Sequence, residues 1–379
     1  LNPRILPLCG IPLSIKSELR SGIEPFFKEL SMTKTGIVRD ERYLEHDTGG
    51  YHVENPERLV HIYKALDEIE TPLVEITPRA ATREEITAVH DPEYVDRIAA
   101  TAGKGARNLD PDTVTSPKTY EVALLAAGGL LAAIDAVMGD LANAFALVRP
   151  PGHHAERNRA MGFCIFNNVA IGARYALSAH RLERVLIADW DLHHGNGTQK
   201  TFYQDPQVLY FSTHQYPYYP GSGHYTEIGE GPGKGYTVNC PLSPGYGDAD
   251  YANILRHCLR PIALAYQPQL ILVSAGFDIY RQDPLGGMAV TEEGFARLID
   301  IIMDVADSVC EGRLVVTLEG GYHLEGQARS VKEVVKRMAG DDMPDRDKWV
   351  GQEDKEYPHI RGIVAALKEN LHDFWQWDG

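Results

Sequence analysis

Apolar positions along the chain alternate between two registers. Short β-branched runs at 144–149, 184–190, 207–213, 269–274 and 313–318 are almost continuously apolar, as strands covered on both faces must be. Between them, 120–138, 167–179, 248–266 and 291–309 place apolar residues at helical spacing. Residues 33–38 add a first strand. Strand, helix, strand repeated in this way predicts an α/β fold: a mostly parallel sheet with helices on both faces. No Pro-, Gly- or Ser-rich break divides 32–340, so 32–379 is expected as a single domain, with 1–31 either an N-terminal extension or residues outside the natural start at Met32. An aromatic amphipathic segment at 363–377 is expected to pack back on that domain. The apolar stretch 122–138 falls short of a membrane span and reads as a packed Ala- and Gly-rich helix.

In open α/β sheets ligands bind beyond the carboxyl ends of the strands, and here each such end carries unusual chemistry. The first run leads into Arg149-Pro150-Pro151-Gly152-His153-His154, the second into Asp191 and His193, and the third into His214. The fourth reaches Asp278 and the fifth Glu319-Gly320-Gly321-Tyr322. Asp191 and His193 sit two apart, so as continuing strand residues they point the same way, with Asp189 one step behind on that face. Asp and His before glycine also cap strands without ligating anything. With Asp278 the pair makes a three-ligand set of the kind catalytic zinc uses, and two oxygens with one nitrogen also suit manganese, iron or cobalt. Adjacent histidines after a stiff Pro-Pro-Gly turn suit a general base and acid; they also fit a second metal site or satisfied loop histidines. Asp189 and Asn196 are available to orient them. Tyr322, after two glycines, could donate to a developing oxyanion. Phe163 and the aromatics Tyr218 and Tyr219 could wall a slot for an alkyl chain.

Composition narrows the partners. A formal net charge of −16 argues against nucleic acid as a partner, which wants a basic face. Five cysteines, with no CxxC pair, exclude a thiolate zinc knuckle and fit free thiols in a reducing compartment. No basic segment followed by an apolar one opens the chain, so a cytoplasmic setting without membrane attachment is expected. A homo-oligomer is compatible with the sequence.

Six ordered blocks then resemble the histone deacetylase family, and most closely its class II-like bacterial members, the histone deacetylase-like amidohydrolases. They are Arg149–His154, 162–168 (Gly-Phe-Cys-Ile-Phe-Asn-Asn), 189–198 (Asp-Trp-Asp-Leu-His-His-Gly-Asn-Gly-Thr), 275–278, 283–287 and 319–322, within a similarity spanning roughly 36–338. Pro56-Glu57-Arg58 also fits, although the family's usual preceding histidine is Asn55 here. The resemblance implies an arginase/deacetylase-like three-layer fold around an eight-stranded sheet. It implies Zn²⁺ held by Asp191, His193 and Asp278. It makes His154, oriented by Asn196, the general base toward water at the metal. Other classes carry Asp at that position, so Asn196 should leave His154 less basic. His153, paired with Asp189, assists electrostatically, and Tyr322 stabilises the oxyanion. Phe163 and Tyr219 would wall the acyl-lysine channel, with Gly162 at its base. Asp112 would grip the substrate backbone, with Asp110 the alternative. Structural K⁺ would sit at Asp189, Asp191, His193, Ser212 and Thr213, and a second at Phe202, Asp205, Val208 and Tyr236.

The expected reaction is therefore zinc-dependent removal of acetyl or other acyl groups from lysine or a similar aliphatic amide. The nearest rival is an acetylpolyamine amidohydrolase. Members preferring polyamines often carry an acidic gatekeeper at the mouth, and the matching residue is Leu285. Binuclear manganese ureohydrolases of the same fold need more bridging carboxylates than these strand ends offer. A non-catalytic binding module would have no use for Tyr322.

Overall fold

The computed structural model describes residues 34–343 and 346–376. The expected extension, 1–31, lies outside the described residues. Ten strands alternate with helices: β1 (Thr35–Val38), β2 (Val74–Glu75), β3 (Arg107–Asn108), β4 (Val114–Thr115), β5 (Asn143–Ala146), β6 (Val185–Asp189), β7 (Val208–Gln215), β8 (Thr237–Leu242), β9 (Leu270–Ala275) and β10 (Leu314–Leu318). Eight of them form one sheet in the order β2-β1-β5-β10-β9-β6-β7-β8. Every pairing in it is parallel. β3 and β4 form a separate antiparallel pair.

All five strands expected from apolar runs are present, neighbouring one another as β5-β10-β9-β6-β7. Their register aligns the carboxyl ends. Asp189 of β6 lies between Ser212 of β7 and Ser274 of β9, and Ala275 of β9 is paired with Leu318 of β10. The central strands are buried throughout, which their β-branched, charge-poor sequences allow.

Three expectations change. β6 ends at Asp189, so Asp191 and His193 belong to the loop beyond it rather than to one strand face. The helix expected over 248–266 is broken into Asp248–Ile254 and Arg260–Tyr266 by a wider π turn at Leu255–Leu259. Pro261 lacks the N–H that the α-helical ladder needs, and the turn before it loosens accordingly. The helix Thr119–Met138 is, against expectation, long and apolar enough by length and composition to cross a bilayer. Its small residues instead pack within the fold, and Gly128 touches the backbone of 79–81 so closely that any Cβ would collide.

The C-terminal segment packs back as expected, but through a longer helix, Arg346–Leu371. Beyond it Trp375 is buried against Tyr236 and Tyr266, and its indole N–H donates to the Gly235 carbonyl at 2.7 Å.

Candidate active site

The loops leaving β5, β6, β9 and β10 meet over one edge of the sheet. Beyond β6 the chain turns tightly because the Asp189 and Asp191 carboxylates accept from the backbone two residues on. The Asp191 N–H donates to Asp189 at 3.1 Å and the His193 N–H to Asp191 at 2.8 Å. This turn, not a strand face, aims Asp191 and His193 together. Asp278 arrives from the β9 loop and is fixed there by the Leu192 N–H at 2.9 Å. The second oxygen of Asp191 accepts from Gly320 N–H, on the β10 loop, at 2.9 Å. Gly320 tolerates no side chain, since a Cβ would stand 2.5 Å from Asp278 Oδ2 and 2.7 Å from Asp191 Oδ2.

The three side chains bring one ligand atom each within 4.8 Å of the others, all buried. His193 Nδ1 is 3.0 Å from Asp278 and 3.3 Å from Asp191. Two buried carboxylates this close repel, and burial together with Asp191 pushes Asp278 up to about 7. A divalent cation relieves that repulsion, and the donor set, two oxygens and one imidazole nitrogen, fits one. Among the described residues this is the one group of three such donors able to hold a metal.

The adjacent histidines have separate partners. His153 Nδ1 lies 3.1 Å from Asp189 Oδ2, which also accepts from the Tyr210 hydroxyl at 3.0 Å. His154 Nδ1 lies 2.8 Å from Asn196 Oδ1. Burial opposes a charge on His153, but Asp191 and Asp189 outweigh it and raise the ring to about 10. Burial, then His153 and His193, drives His154 well below its ordinary value. The two neighbouring rings are thus pushed in opposite directions.

These groups line a cavity of about 260 Å³ together with Pro151, Gly162, Phe163, Tyr218, Tyr219 and Leu285. Asp112, Gly320 and Tyr322 complete its wall. Gly162 has a φ of 56° and lies so close to His154 that a Cβ would meet the ring at 2.3 Å, so glycine alone fits. Phe163 also holds a positive φ, 67°, with its N–H tied to Thr113 Oγ1 at 3.1 Å. Its ring stands edge-on to Tyr322 at 5.7 Å. Tyr219 is edge-on to His154 at 5.2 Å, and Tyr218 stacks on His193 at 5.7 Å. Asp112 reaches the cavity, whereas Asp110 folds back on its own turn and accepts from the Asp112 and Thr113 N–H groups. Burial and the nearby Asp110 raise Asp112 above the usual carboxylate range. Leu285 sits at the rim, its carbonyl accepting from the Tyr218 hydroxyl at 2.9 Å.

Of the positions implied for potassium, Asp189 and Ser212 are register partners, and Thr213 Oγ1 donates to the Asp189 carbonyl at 3.5 Å. Phe202, Asp205, Val208 and Tyr236 cluster before and beside β7, with Tyr210 N–H bonded to the Tyr236 carbonyl. Asp205 there is ion-paired with Arg174.

Several supporting contacts escape a reading of the sequence. Glu54, fully buried, accepts from Arg149 Nε at 2.5 Å and Arg58 Nη1 at 3.0 Å. Arg58 then donates to the Gly321 and Glu319 carbonyls and lies 5.1 Å over the Tyr322 ring. Glu319 accepts from the Gly152 and His153 N–H groups, tying the β10 loop to the β5 loop. Asp283 accepts from Tyr322 N–H at 2.7 Å. The Pro56-Glu57-Arg58 and Asp283 motifs are visible in sequence, but the partners are not: Arg58 meets Glu319 and Gly321, 261 and 263 residues on, and Asp283 meets Tyr322, 39 residues on.

Comparison with known proteins agrees with this geometry. A histone deacetylase domain model matches residues 52–338. A probable deacetylase of Archaeoglobus fulgidus is 42% identical over 315 residues, 82% of this chain and 87% of that protein. The polyamine deacetylase HDAC10 of Homo sapiens is 42% identical over 328 residues, 83% of this chain and 47% of that protein. This chain thus spans about half the length of that human relative. A solved HDA15 HD domain superposes with a TM-score of 0.82 at 36% identity, covering 91% of this chain and 96% of that one. The expected arginase/deacetylase-like architecture is therefore the observed one.

Proposed function

Because the chain belongs to the histone deacetylase family, we propose that it is a zinc-dependent amidohydrolase removing acetyl or longer acyl groups from lysine side chains or similar aliphatic amides. One observation carries the reading: the Asp191, His193 and Asp278 donors converge beside a cavity that also exposes His153, His154 and Tyr322. A divalent ion in that donor set supplies Lewis acidity, polarising the scissile carbonyl and lowering the pKa of water toward ~7.

The chain's own groups do the rest. His154, with Nδ1 engaged by Asn196, offers Nε2 to the proton of the attacking water and returns it to the leaving amine. His153, clamped by Asp189, holds positive charge near the reacting carbon. Tyr322 donates its hydroxyl hydrogen to the oxyanion as it forms; burial keeps that phenol protonated. Phe163 and Tyr219 flank the alkyl chain, Gly162 leaves room at its base, and Asp112 accepts from the substrate backbone. Structural K⁺ held near the β6 and β7 ends would stiffen the loop that presents Asp191 and His193.

Acetylpolyamine hydrolysis is the second reading, favoured by the polyamine deacetylase among the relatives. Leu285 at the rim gives a second ammonium no counter-charge, which favours acyl-lysine. A panel of acyl-lysine peptides run beside acetylputrescine, with and without chelator, separates the two. Acyl-lysine turnover well above acetylputrescine, lost on chelation, is expected; the reverse preference would replace the first reading with the second.

A further inference from the structure

The side-chain amide of Asn196 is held at both ends. Its Oδ1 faces His154 Nδ1 at 2.8 Å. Its Nδ2 donates to Glu156 Oε1 at 2.8 Å and faces the His154 carbonyl and Met161 Sδ, each at 3.4 Å. Turned end over end, the amide would set its oxygen against a carboxylate and a carbonyl, both repulsive. It would also give its NH₂ to His154.

Which end His154 meets decides where the ring's hydrogen sits. With oxygen toward the ring, Nδ1 carries the hydrogen and Nε2 keeps a free lone pair. With the amide reversed, Nδ1 becomes the acceptor, the hydrogen moves to Nε2, and the ring has no lone pair left for water. An aspartate at 196 would accept from Nδ1 in either orientation; a neutral amide needs something to choose for it.

We infer that Glu156 makes that choice: it is a positioning residue whose carboxylate locks the Asn196 amide and, through it, the proton-accepting tautomer of His154. Glu156 is itself anchored, since Lys200 Nζ donates to Oε1 at 2.6 Å and Glu156 N–H to the Arg159 carbonyl at 2.9 Å. It lies on the wall of a second hollow, about 190 Å³, with Lys200 and Arg174, rather than on the substrate cavity. It therefore acts through Asn196 and not on substrate. The inference deepens the acyl-amide hydrolase reading and rests on it for activity, but not for the tautomer.

Two measurements on the full, zinc-loaded chain test it. The first reads the imidazole ¹⁵N resonances of His154 without substrate. The native protein shows hydrogen on Nδ1, Glu156→Ala shows it partly or wholly on Nε2, and Glu156→Gln, which can still accept from Asn196, stays native. The second reads acetyl-lysine turnover. Glu156→Ala lowers kcat by about tenfold or more with little change in KM, as loss of an orienting partner does. In the Asn196→Asp background the same change costs less than about twofold. Glu156→Met serves if the alanine variant does not fold.

An unchanged His154 tautomer in the truncated variants, or an equal loss of turnover in both backgrounds, overturns the inference. If the native chain hydrolyses no acyl-lysine, the proposed function falls while the resonances still judge Glu156.

Discussion

Tyr322 is the residue whose chemistry is most exposed to test. Its ring is gripped by Arg58 and Phe163 and its backbone by Asp283, so removing the hydroxyl leaves every support in place. Tyr322→Phe should keep the metal and fold while losing about a hundredfold or more in turnover, ~3 kcal/mol of transition-state stabilisation. Metal analysis beside kcat checks this, and a full-rate variant would remove the oxyanion role.

His90 offers a residue-scale test of stability. Its Nδ1 donates to the Glu156 carbonyl and its Nε2 accepts from Asn167 N–H, so a second proton has no place. Burial lowers its pKa from the ordinary 6.5 to about 4. His46 and His214 are likewise lowered by burial to about 4. The unfolded chain binds these protons first, so stability is complete above about 6.5 and lost as pH falls toward 4. Unfolding midpoints should drop steadily across that window, whereas midpoints flat between pH 6.5 and 4 would contradict it.

At this scale the three converging donors and Tyr322 were readable as candidates because each stands in a short polar block at a strand end. The Glu54–Arg58–Arg149 cluster was not. Glu54 and Arg149 are 95 residues apart, and only the folded chain brings them together.

At the scale of elements, strands buried on both faces announce themselves and edge strands do not. β8 carries Asn239 and Pro241, which a central strand would refuse and an edge strand tolerates. β2 is two exposed residues. The C-terminal helix was only half readable, since its first half is highly charged and carries Pro358, which the helix nonetheless runs through.

That helix is held by charge as well as by Trp375. Glu353, buried, accepts from Arg297 at 2.7 Å and Arg256 at 2.6 Å. Arg297 is fully buried and leans also on Asp300. Removing Glu353 strands part of that charge in the interior, so Glu353→Ala should cost about 3 kcal/mol. Denaturant unfolding measures it, and a change within about 0.5 kcal/mol would show the pair to be ornamental.

The whole molecule is a sheet whose register gathers five carboxyl ends on one rim, and the site is a consequence of that register. Strand type and order of motifs could be read in advance. The convergence of Asp278 with a loop 85 residues away could only be wagered on, because no spacing rule links two strands. A charge of −16 pervades the chain, yet Asp191 and Asp278 gather with His193 in one buried donor set able to hold a metal, beside a cavity walled by Phe163, Tyr218 and Tyr219.

The claim on which the rest depends is that Asp191, His193 and Asp278 close around a single divalent ion that acyl-amide hydrolysis requires. Titrating the chelated, metal-free chain with Zn²⁺ while following acetyl-lysine hydrolysis tests it most directly. Activity should rise from nothing and break sharply at one ion per chain. Activity that survives chelation, or a break at two ions, would contradict the account, the latter in favour of a binuclear site.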